Sequence, residues 1–245
     1  MKDNFSTQAD VYAKYRPQYP DALFEYIMSF VKEKNLAWDC GTGNGQTAKK
    51  LSKYFDKVYA TDISSKQIEH AAKKSNINYV VEPAEKTSLK NNTVDLVTVS
   101  QALHWFNFEK FYAEVKRVAK PTAVIAVWTY SLLQTDPVTG KLIHDYHFKT
   151  LEKYWDEERK YVDDGYKTIP FPFEKIDAPE FFIELNWNTE DLEGYFNTWS
   201  ALQKFIKVNN YNPVPDLMKE IKLNWLATEY RKIIFPIHLK LGYVL

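Results

Sequence analysis

This chain is poor in cysteine and glycine and carries no excess of charge of either sign. Its 245 residues include one cysteine, Cys40, so no disulfide forms within the chain, which favours a reducing compartment. Lys plus Arg and Asp plus Glu each number 32, so no overall field attracts nucleic acid or an anionic membrane. There is no apolar run of the roughly 18 residues that a membrane span needs, and no apolar signal segment near the start. We expect a cytoplasmic monomer or homodimer without nucleic-acid or membrane partners.

From residue 36 onward, short apolar runs alternate with amphipathic stretches. Predicted strands occupy Leu36–Cys40, Lys57–Thr61, Asn78–Val81, Val94–Ser100 and Ala123–Trp128. Predicted helices lie near Gln46–Tyr54, Lys66–Lys74 and Phe108–Ala119. Strands that are apolar throughout and separated by helices indicate a parallel sheet covered on both faces. Because such crossovers are right-handed, the pattern predicts a doubly wound α/β fold.

The regular alternation ends after Trp128. A helix is predicted near Lys141–Trp155, a charge cluster follows at Asp156–Lys160, and prolines at 170, 172 and 179 disfavour regular structure. Two more strands are predicted near 181–186 and 233–244, so the predicted sheet has seven strands and is mostly parallel. An aromatic-rich helix is predicted between these two strands, at Asp191–Val208. We predict one domain, 1–245, with a core at about 30–130 plus those two strands. A cap inserted around it comes from 1–30 and about 131–225.

Glycine is scarce, yet three of the seven glycines fall within five residues, in Asp39-Cys40-Gly41-Thr42-Gly43-Asn44-Gly45. This segment follows a predicted strand and opens a helix, where glycine permits a tight turn and close approach of a ligand. A dinucleotide-binding turn requires its third glycine at position 46, which is Gln46 here. The spacing therefore disfavours an NAD(P) oxidoreductase. A plain turn without a ligand is the alternative.

A second acidic residue, Asp62, ends the second predicted strand. It follows the glycine turn by about 20 residues, where nucleoside-binding folds place a ribose-binding acid. A carboxylate can accept hydrogen bonds from both ribose hydroxyls. Taken alone, Asp62 is better explained as a helix cap or turn residue, but with Asp39 and the glycine turn upstream we favour ribose binding.

Together these segments resemble class I S-adenosylmethionine-dependent methyltransferases, which have a Rossmann-like fold. More narrowly, the chain is similar to the small-molecule branch that includes the trans-aconitate methyltransferase-like proteins of bacteria and fungi. The resemblance covers nearly the whole chain. It is carried by Phe5…Ala9…Tyr12…Arg16-Pro17…Tyr19-Pro20, Asp39–Gly45, Asp95…Gln101-Ala102…His104-Trp105-Phe106 and Leu192…Gly194-Tyr195…Thr198-Trp199-Ser200.

The resemblance implies S-adenosylmethionine as cofactor and a small molecule as methyl acceptor. The implied cofactor-binding residues are Arg16, Asp39, Gly41, Thr42, Gly43, Gly45, Asp62, Ile63, Ala84, Glu85, Gln101 and Ala102. Asp39 would help to hold the cofactor's ammonium. Many relatives carry an Asp just before the Ala of the adenine loop, whereas this chain has Pro83, so the backbone or Glu82 becomes the expected adenine partner. Implied substrate-binding residues are Tyr12, Trp105 and Trp199.

His104 is the candidate general base, because an imidazole of ordinary pKa removes protons near neutral pH. The alternative is a histidine that only orients a loop. A carboxylate acceptor needs no base, but it needs cationic or hydroxyl groups in the cap. Arg16 is such a group, unless it holds the cofactor's own carboxylate. No metal is expected, because His144 and His147 have only Asp145 as a further ligand nearby.

Two other readings stay open. A methyltransferase for nucleic acid or protein needs a basic surface or a motif such as Asn-Pro-Pro-Tyr after strand four, where this chain has Ser100-Gln101-Ala102-Leu103. A non-catalytic cofactor-binding protein is disfavoured by the presence of Asp39, Asp62 and His104.

Overall fold

The computed structural model describes residues 15–244. Its strands are β1 (Leu36–Cys40), β2 (Lys57–Asp62), β3 (Ile77–Val81), β4 (Val94–Ser100), β5 (Ala119–Tyr130), β6 (Glu174–Ile176), β7 (Phe181–Trp187) and β8 (Arg231–Tyr243). They form one sheet in the order β3-β2-β1-β4-β5-β8-β6, with β7 also pairing with β8. Strands β1 to β5 are parallel, and β8 is antiparallel to its neighbours.

The doubly wound, mostly parallel α/β fold is confirmed, with one strand more than the predicted seven. The extra strand, β6, lies in the stretch where prolines were expected to disfavour regular structure. Its three residues pair with β8 at Leu241–Tyr243 and contain no proline, so the ladder is unobstructed there.

The described helices are α1 (Asp21–Met28), α2 (Gln46–Leu51), α3 (Ser65–Glu69), α4 (Phe108–Val118), α5 (Pro137–Asp145), α6 (Arg159–Asp163), α7 (Thr189–Phe196), α8 (Ser200–Asn209) and α9 (Val214–Lys222). Helices α6 and α9 were not predicted. The helix expected near Lys141–Trp155 stops at Asp145 and continues as a π turn and a 3₁₀ turn.

The aromatic-rich helix expected at Asp191–Val208 is two helices. Helix α7 begins at a capping box in which Asn188 and Asp191 satisfy each other's backbone N–H groups. Helix α7 ends at Phe196. Trp199 has an extended backbone and is the N-cap of the next helix, α8. Trp199, which lies at this break, is buried. The apolar periodicity of the sequence does not predict where the helix is interrupted.

Both faces of the sheet are buried, as β5 shows. Trp128 and Tyr130 belong to the apolar cluster that contains α1 residues, whereas Ile125 and Val127 belong to the cluster that contains α4 residues. Successive side chains of a strand point to opposite faces, so one strand supplies both clusters. Within residues 15–244, no helix has the length and apolar character to cross a bilayer.

The strand order decides where a ligand can bind. Strands β2, β1 and β4 are neighbours, and the chain connections run in opposite directions from β1. In open α/β sheets the crevice at such a switch point, beyond the carboxyl ends of the strands, is the ligand site. The segments after β1, β2 and β4 therefore meet at one edge.

Candidate functional site

The glycine turn after β1 uses a left-handed backbone. Gly41, Gly43 and Gly45 have φ of 67°, 55° and 78°. A Cβ on Gly41 would lie 2.6 Å from the Cβ of Ala102, so the turn packs directly against the end of β4. Among residues 15–244, the one atom that a Cβ on Gly43 would approach within 4 Å is Gln67 Oε1, at 3.8 Å. Gly43 is thus the glycine whose main chain is open to close approach by a ligand.

Asp39 lies beneath this turn and is only 1% exposed. Its two carboxylate oxygens accept hydrogen bonds from the hydroxyls of Thr42, at 2.5 Å, and Thr98, at 2.8 Å. Burial raises the pKa of Asp39 to about 6, while the two threonine bonds oppose the rise. Asp39 therefore joins the glycine turn to β4, and its contact with a cofactor ammonium stays a prediction.

Asp62 ends β2 and faces the same turn. Its carboxylate accepts hydrogen bonds from the backbone N–H groups of Gly43, at 2.8 Å, and Ser64, at 2.9 Å. These bonds fix the direction of the carboxylate. Ile63 follows it and is half-buried. The arrangement is compatible with ribose binding by Asp62.

The loop after β3 runs beside these groups. Ala84 is buried, in the apolar cluster that also contains Trp38 and Cys40. The Glu85 carboxylate accepts a hydrogen bond from the backbone of Asn107 at 2.9 Å, which ties this loop to the start of α4. Glu82, the expected adenine partner, accepts a hydrogen bond from the Tyr59 hydroxyl at 2.9 Å.

At the end of β4, Gln101 has a left-handed backbone with φ of 54°. Such strain in a residue other than glycine persists only where its surroundings fix it, and it concentrates at functional sites. Here the Gln101 N–H donates to the carbonyl of Trp128 at 2.9 Å, and the Thr129 hydroxyl donates to its Oε1. Gln101 is held by β5 and lines a cavity.

This cavity has a free volume of about 60 Å³. It joins the segment after β4 to residues of the 131–225 region. Its lining residues are Arg16, Gln101, His104, Trp105, Trp155, Asp156, Arg159, Val162 and Ser200. Four of these were predicted site residues, and they come from sequence positions far apart. We call it the acceptor cavity.

His104 lies in the 3₁₀ turn Leu103–Trp105 and is buried. Its Nδ1 lies 2.7 Å from the Tyr166 hydroxyl oxygen. Burial and the positive charge of Arg159 together lower the pKa of His104 to about 3, while the carboxylates of Asp156 and Asp163 oppose the shift. The imidazole is therefore neutral at pH 7 and a weak base, which weakens the case for general-base catalysis.

Two guanidinium groups line the acceptor cavity. Arg16 donates to the Tyr130 hydroxyl at 2.8 Å and to the Thr198 carbonyl at 3.3 Å. Arg159 donates from Nε to Asp163 at 2.9 Å, and its guanidinium lies 4.6 Å from the centre of the Trp155 ring. Neither terminal nitrogen of Arg159 makes a hydrogen bond to any part of the chain from 15 to 244.

One predicted substrate-binding residue, Trp199, is not among the described residues that line the cavity. Trp199 is 3% exposed and its ring centre lies 5.5 Å from that of Trp155, so it packs behind a lining residue. Tyr12 lies outside the described residues. Conversely, Trp155, Asp156 and Arg159 were missed as site residues. The charge cluster at Asp156–Lys160 was the available clue, but the sequence does not show that it turns toward the site.

No metal site emerges from the described part of the chain. Between residues 15 and 244, no group of three or more His, Cys, Asp or Glu side chains is placed to hold an ion. His147 is buried against Trp155 and Trp199, and His144 is exposed beside Asp145.

Comparison with known proteins identifies the family. A family model described as a methyltransferase domain matches residues 38–127. A Dictyostelium discoideum protein named as a methyltransferase is 36% identical over 98% of this chain and 94% of its own. A Saccharomyces cerevisiae protein named as an S-adenosylmethionine-dependent methyltransferase is 32% identical over 49% of this chain and 44% of its own. A solved Anaeromyxobacter dehalogenans structure, described as a type II methyltransferase, is 34% identical with a TM-score of 0.87, covering 94% of this chain and 99% of that one.

The chain therefore belongs to the class I S-adenosylmethionine-dependent methyltransferases. The predicted enzyme class and cofactor are confirmed at that level. The residues present fit the cofactor: the main chain at Gly43 is open, and Asp62 lies beside it with its direction fixed by two backbone N–H groups.

The glycine turn predicts different outcomes at different glycines. Gly43→Ala should destabilise the fold by about 1–2 kcal/mol because of its positive φ, and should weaken S-adenosylhomocysteine binding at least about tenfold by closing the approach to the main chain. Gly140→Ala is the matched control. Gly140 lies in helix α5, and a Cβ there would be 3.9 Å from the Thr135 carbonyl oxygen, which is an ordinary contact. It should leave affinity unchanged. Calorimetric titration with S-adenosylhomocysteine measures the affinity of each variant. Equal affinities for Gly43→Ala and wild type would contradict the placement of Gly43 at the cofactor.

The buried Asp39 carboxyl predicts a pH-dependent stability. Its pKa is about 6 when folded against an ordinary 3.8, so the folded state binds more protons between these values and loses stability as the pH rises through them. Urea unfolding at pH 5 and pH 7 should show wild type gaining about 1 kcal/mol, relative to Asp39→Asn, on going to pH 5. A difference between the two proteins that is the same at both pH values would refute the raised pKa.

Proposed function

We propose that this enzyme transfers a methyl group from S-adenosylmethionine to a small carboxylic acid. The observation that carries the proposal is that Arg16, Arg159 and the neutral ring of His104 line one small cavity beside the end of β4. The resemblance to the trans-aconitate methyltransferase-like branch, carried by the Gln101-Ala102-Leu103-His104-Trp105-Phe106 string, supports the same acceptor class.

The charges around the acceptor cavity favour an anion. Asp156 is paired with Lys204 at 2.6 Å, and Asp163 with Arg159 at 2.9 Å. Counted with Arg16, these groups comprise three positive and two negative charges, a net charge of +1. Guanidinium groups bind carboxylates through directed pairs of hydrogen bonds. Arg159 already stacks on Trp155 and is oriented by Asp163, so less freedom is lost when it binds an anion.

A carboxylate acceptor also suits the weak basicity of His104. S-adenosylmethionine, when bound, supplies a methyl group that is already activated by the positive sulfonium. A carboxylate is ionised at neutral pH, so no proton has to be removed before it attacks. The chain's own task is to orient the acceptor and exclude water, and such positioning accounts for a large part of many rate enhancements. Arg159 orients the acceptor, while Trp105 and Trp155 shield the cavity.

The proposed cofactor site lies along the carboxyl edge of β1, β2 and β4. In this proposal Asp62 binds the ribose and the turn from Gly41 to Gly45 contacts the cofactor through its main chain. Ala84 and Glu85 lie in the loop beside the adenine. The remaining proposed contacts come from Arg16, Asp39, Ile63, Gln101 and Ala102. We keep the proposal of one domain, 1–245, with a cap from 1–30 and about 131–225 around the acceptor; residues 1–14 of that cap lie outside the described residues. Tyr12 and Trp199 are kept as proposed substrate-binding or supporting residues.

An assay with labelled S-adenosylmethionine tests this function. The purified protein is offered small carboxylic acids, trans-aconitate among them, as well as phenols, tRNA and bulk protein, and product formation is followed. We expect methyl esters from one or more carboxylic acids and no label in the macromolecules. Label only in phenols would contradict the carboxylate proposal. Label only in tRNA or protein, or cofactor binding without any product, would contradict the small-molecule acceptor.

Arg159 is the residue whose removal should separate acceptor binding from cofactor binding. Arg159→Gln should raise the KM for the methylated acid about 10- to 100-fold, as expected for a lost charge-assisted hydrogen bond, with the S-adenosylhomocysteine Kd unchanged. Lys160→Gln removes a positive charge from the next position of α6, outside the cavity lining, and should change neither quantity. Equal KM values for the two variants would remove Arg159 from the acceptor site.

A further inference from the structure

Tyr166 stands out among the residues near the acceptor cavity. It is fully buried, and its backbone is left-handed with φ of 62°, directly after Gly165 with φ of 65°. A bulky residue in this conformation is a genuine outlier that its surroundings must maintain. Its N–H donates to the Tyr161 carbonyl at 2.7 Å, which closes a tight turn after α6. This turn brings the phenol hydroxyl to His104 Nδ1, at 2.7 Å.

The contact joins two neutral groups. Burial raises the pKa of the Tyr166 phenol well above its usual value and lowers that of His104 to about 3. One proton therefore lies between the phenol oxygen and Nδ1. A phenol O–H is a stronger hydrogen-bond donor than the N–H of a neutral imidazole, and an imidazole nitrogen is a stronger acceptor than a phenol oxygen. The hydroxyl's own proton is then the one directed to Nδ1.

The direction of this hydrogen bond determines the tautomer of His104. A neutral imidazole carries one N–H, so an Nδ1 that accepts leaves the proton on Nε2. Nε2 makes no hydrogen bond to any residue from 15 to 244, and the ring lines the acceptor cavity. The ring can therefore donate from Nε2 to a bound molecule, and it cannot accept there.

We propose that Tyr166 is a positioning residue that fixes His104 as the Nε2–H tautomer, making the ring a hydrogen-bond donor to the acceptor. The identity of the acceptor rests on the proposed function, whereas the tautomer does not. A donor at Nε2 beside Arg159 favours an acceptor that presents oxygen lone pairs, as a carboxylate does. It disfavours one that presents an N–H group at the same place, because two donors would face each other.

Nitrogen NMR on the full-length protein, labelled only at its histidines, tests the tautomer directly. The chain has five histidines, and the His104 resonances are identified as those lost in His104→Gln. We expect a pyridine-type Nδ1 and a pyrrole-type Nε2, unchanged from pH 8 down to about pH 5 because the ring does not titrate there. A pyrrole-type Nδ1, with the proton donated to the phenol, would overturn the proposal whether or not any variant folds.

Tyr166→Phe tests the role of the phenol, since it keeps the ring that fills the core. The His104 nitrogens should shift toward averaged values for two exchanging tautomers. The KM for the methylated acid should rise roughly 3- to 10-fold, as for loss of one oriented hydrogen bond, with the S-adenosylhomocysteine Kd unchanged. The matched control is Tyr161→Phe, on α6, whose hydroxyl makes no hydrogen bond within residues 15–244 and which should behave as wild type. An unchanged His104 spectrum or KM in Tyr166→Phe would overturn the positioning role.

His104 variants distinguish a donor from a base. Gln presents an amide N–H near the place of Nε2, so His104→Gln should keep a larger part of the activity than His104→Ala. Equal loss in both variants would contradict the donor role. If wild type methylates no acid, the proposed function fails while the NMR result still decides the tautomer. A confirmed acid substrate with a pyrrole-type Nδ1 would leave the function standing and remove only this inference.

Discussion

The buried Asp39 carboxylate is the interaction on which the rest of the site depends. By accepting hydrogen bonds from the hydroxyls of Thr42 and Thr98, it joins the turn after β1 to the neighbouring strand β4. The Thr42 N–H donates to the carbonyl of Thr61, so the turn is also bonded to β2. The turn can then hold three left-handed glycines in a fixed place, with Gly43 reached by the Asp62 carboxylate. The energetic cost of burying Asp39 is visible in its raised pKa.

The acceptor side depends on a different constraint, which is the chain that returns over the sheet after β5. Helix α6 and the strained turn at Tyr166 bring Arg159 and a phenol hydroxyl to the segment after β4. Burial there keeps His104 neutral, so the positive charge of the cavity belongs to guanidinium groups. These are paired with or stacked on fixed partners. A site built of oriented donors suits an acceptor that is already ionised.

The parts of the fold that could be predicted from sequence are those governed by local rules. β1 and β4 were predicted with their observed bounds because an apolar run ending at a glycine cluster or a polar residue is unambiguous. Helix α6 was missed because its five residues are stabilised by contacts with the rest of the chain and not by their own pattern. The charge cluster at Asp156–Lys160 was visible, but which of its members faces a cavity depends on that helix. The left-handed backbone of Gln101 and the tautomer of His104 depend on distant partners, Trp128 and Tyr166, and no local pattern encodes them.

The most direct test of the central claim is a crystal structure of the enzyme with S-adenosylhomocysteine and the methylated carboxylic acid. In that complex we expect the acid's carboxylate within hydrogen-bond distance of the Arg159 guanidinium and His104 Nε2, beside the end of β4. An acid bound elsewhere, with both groups turned away from it, would contradict the account.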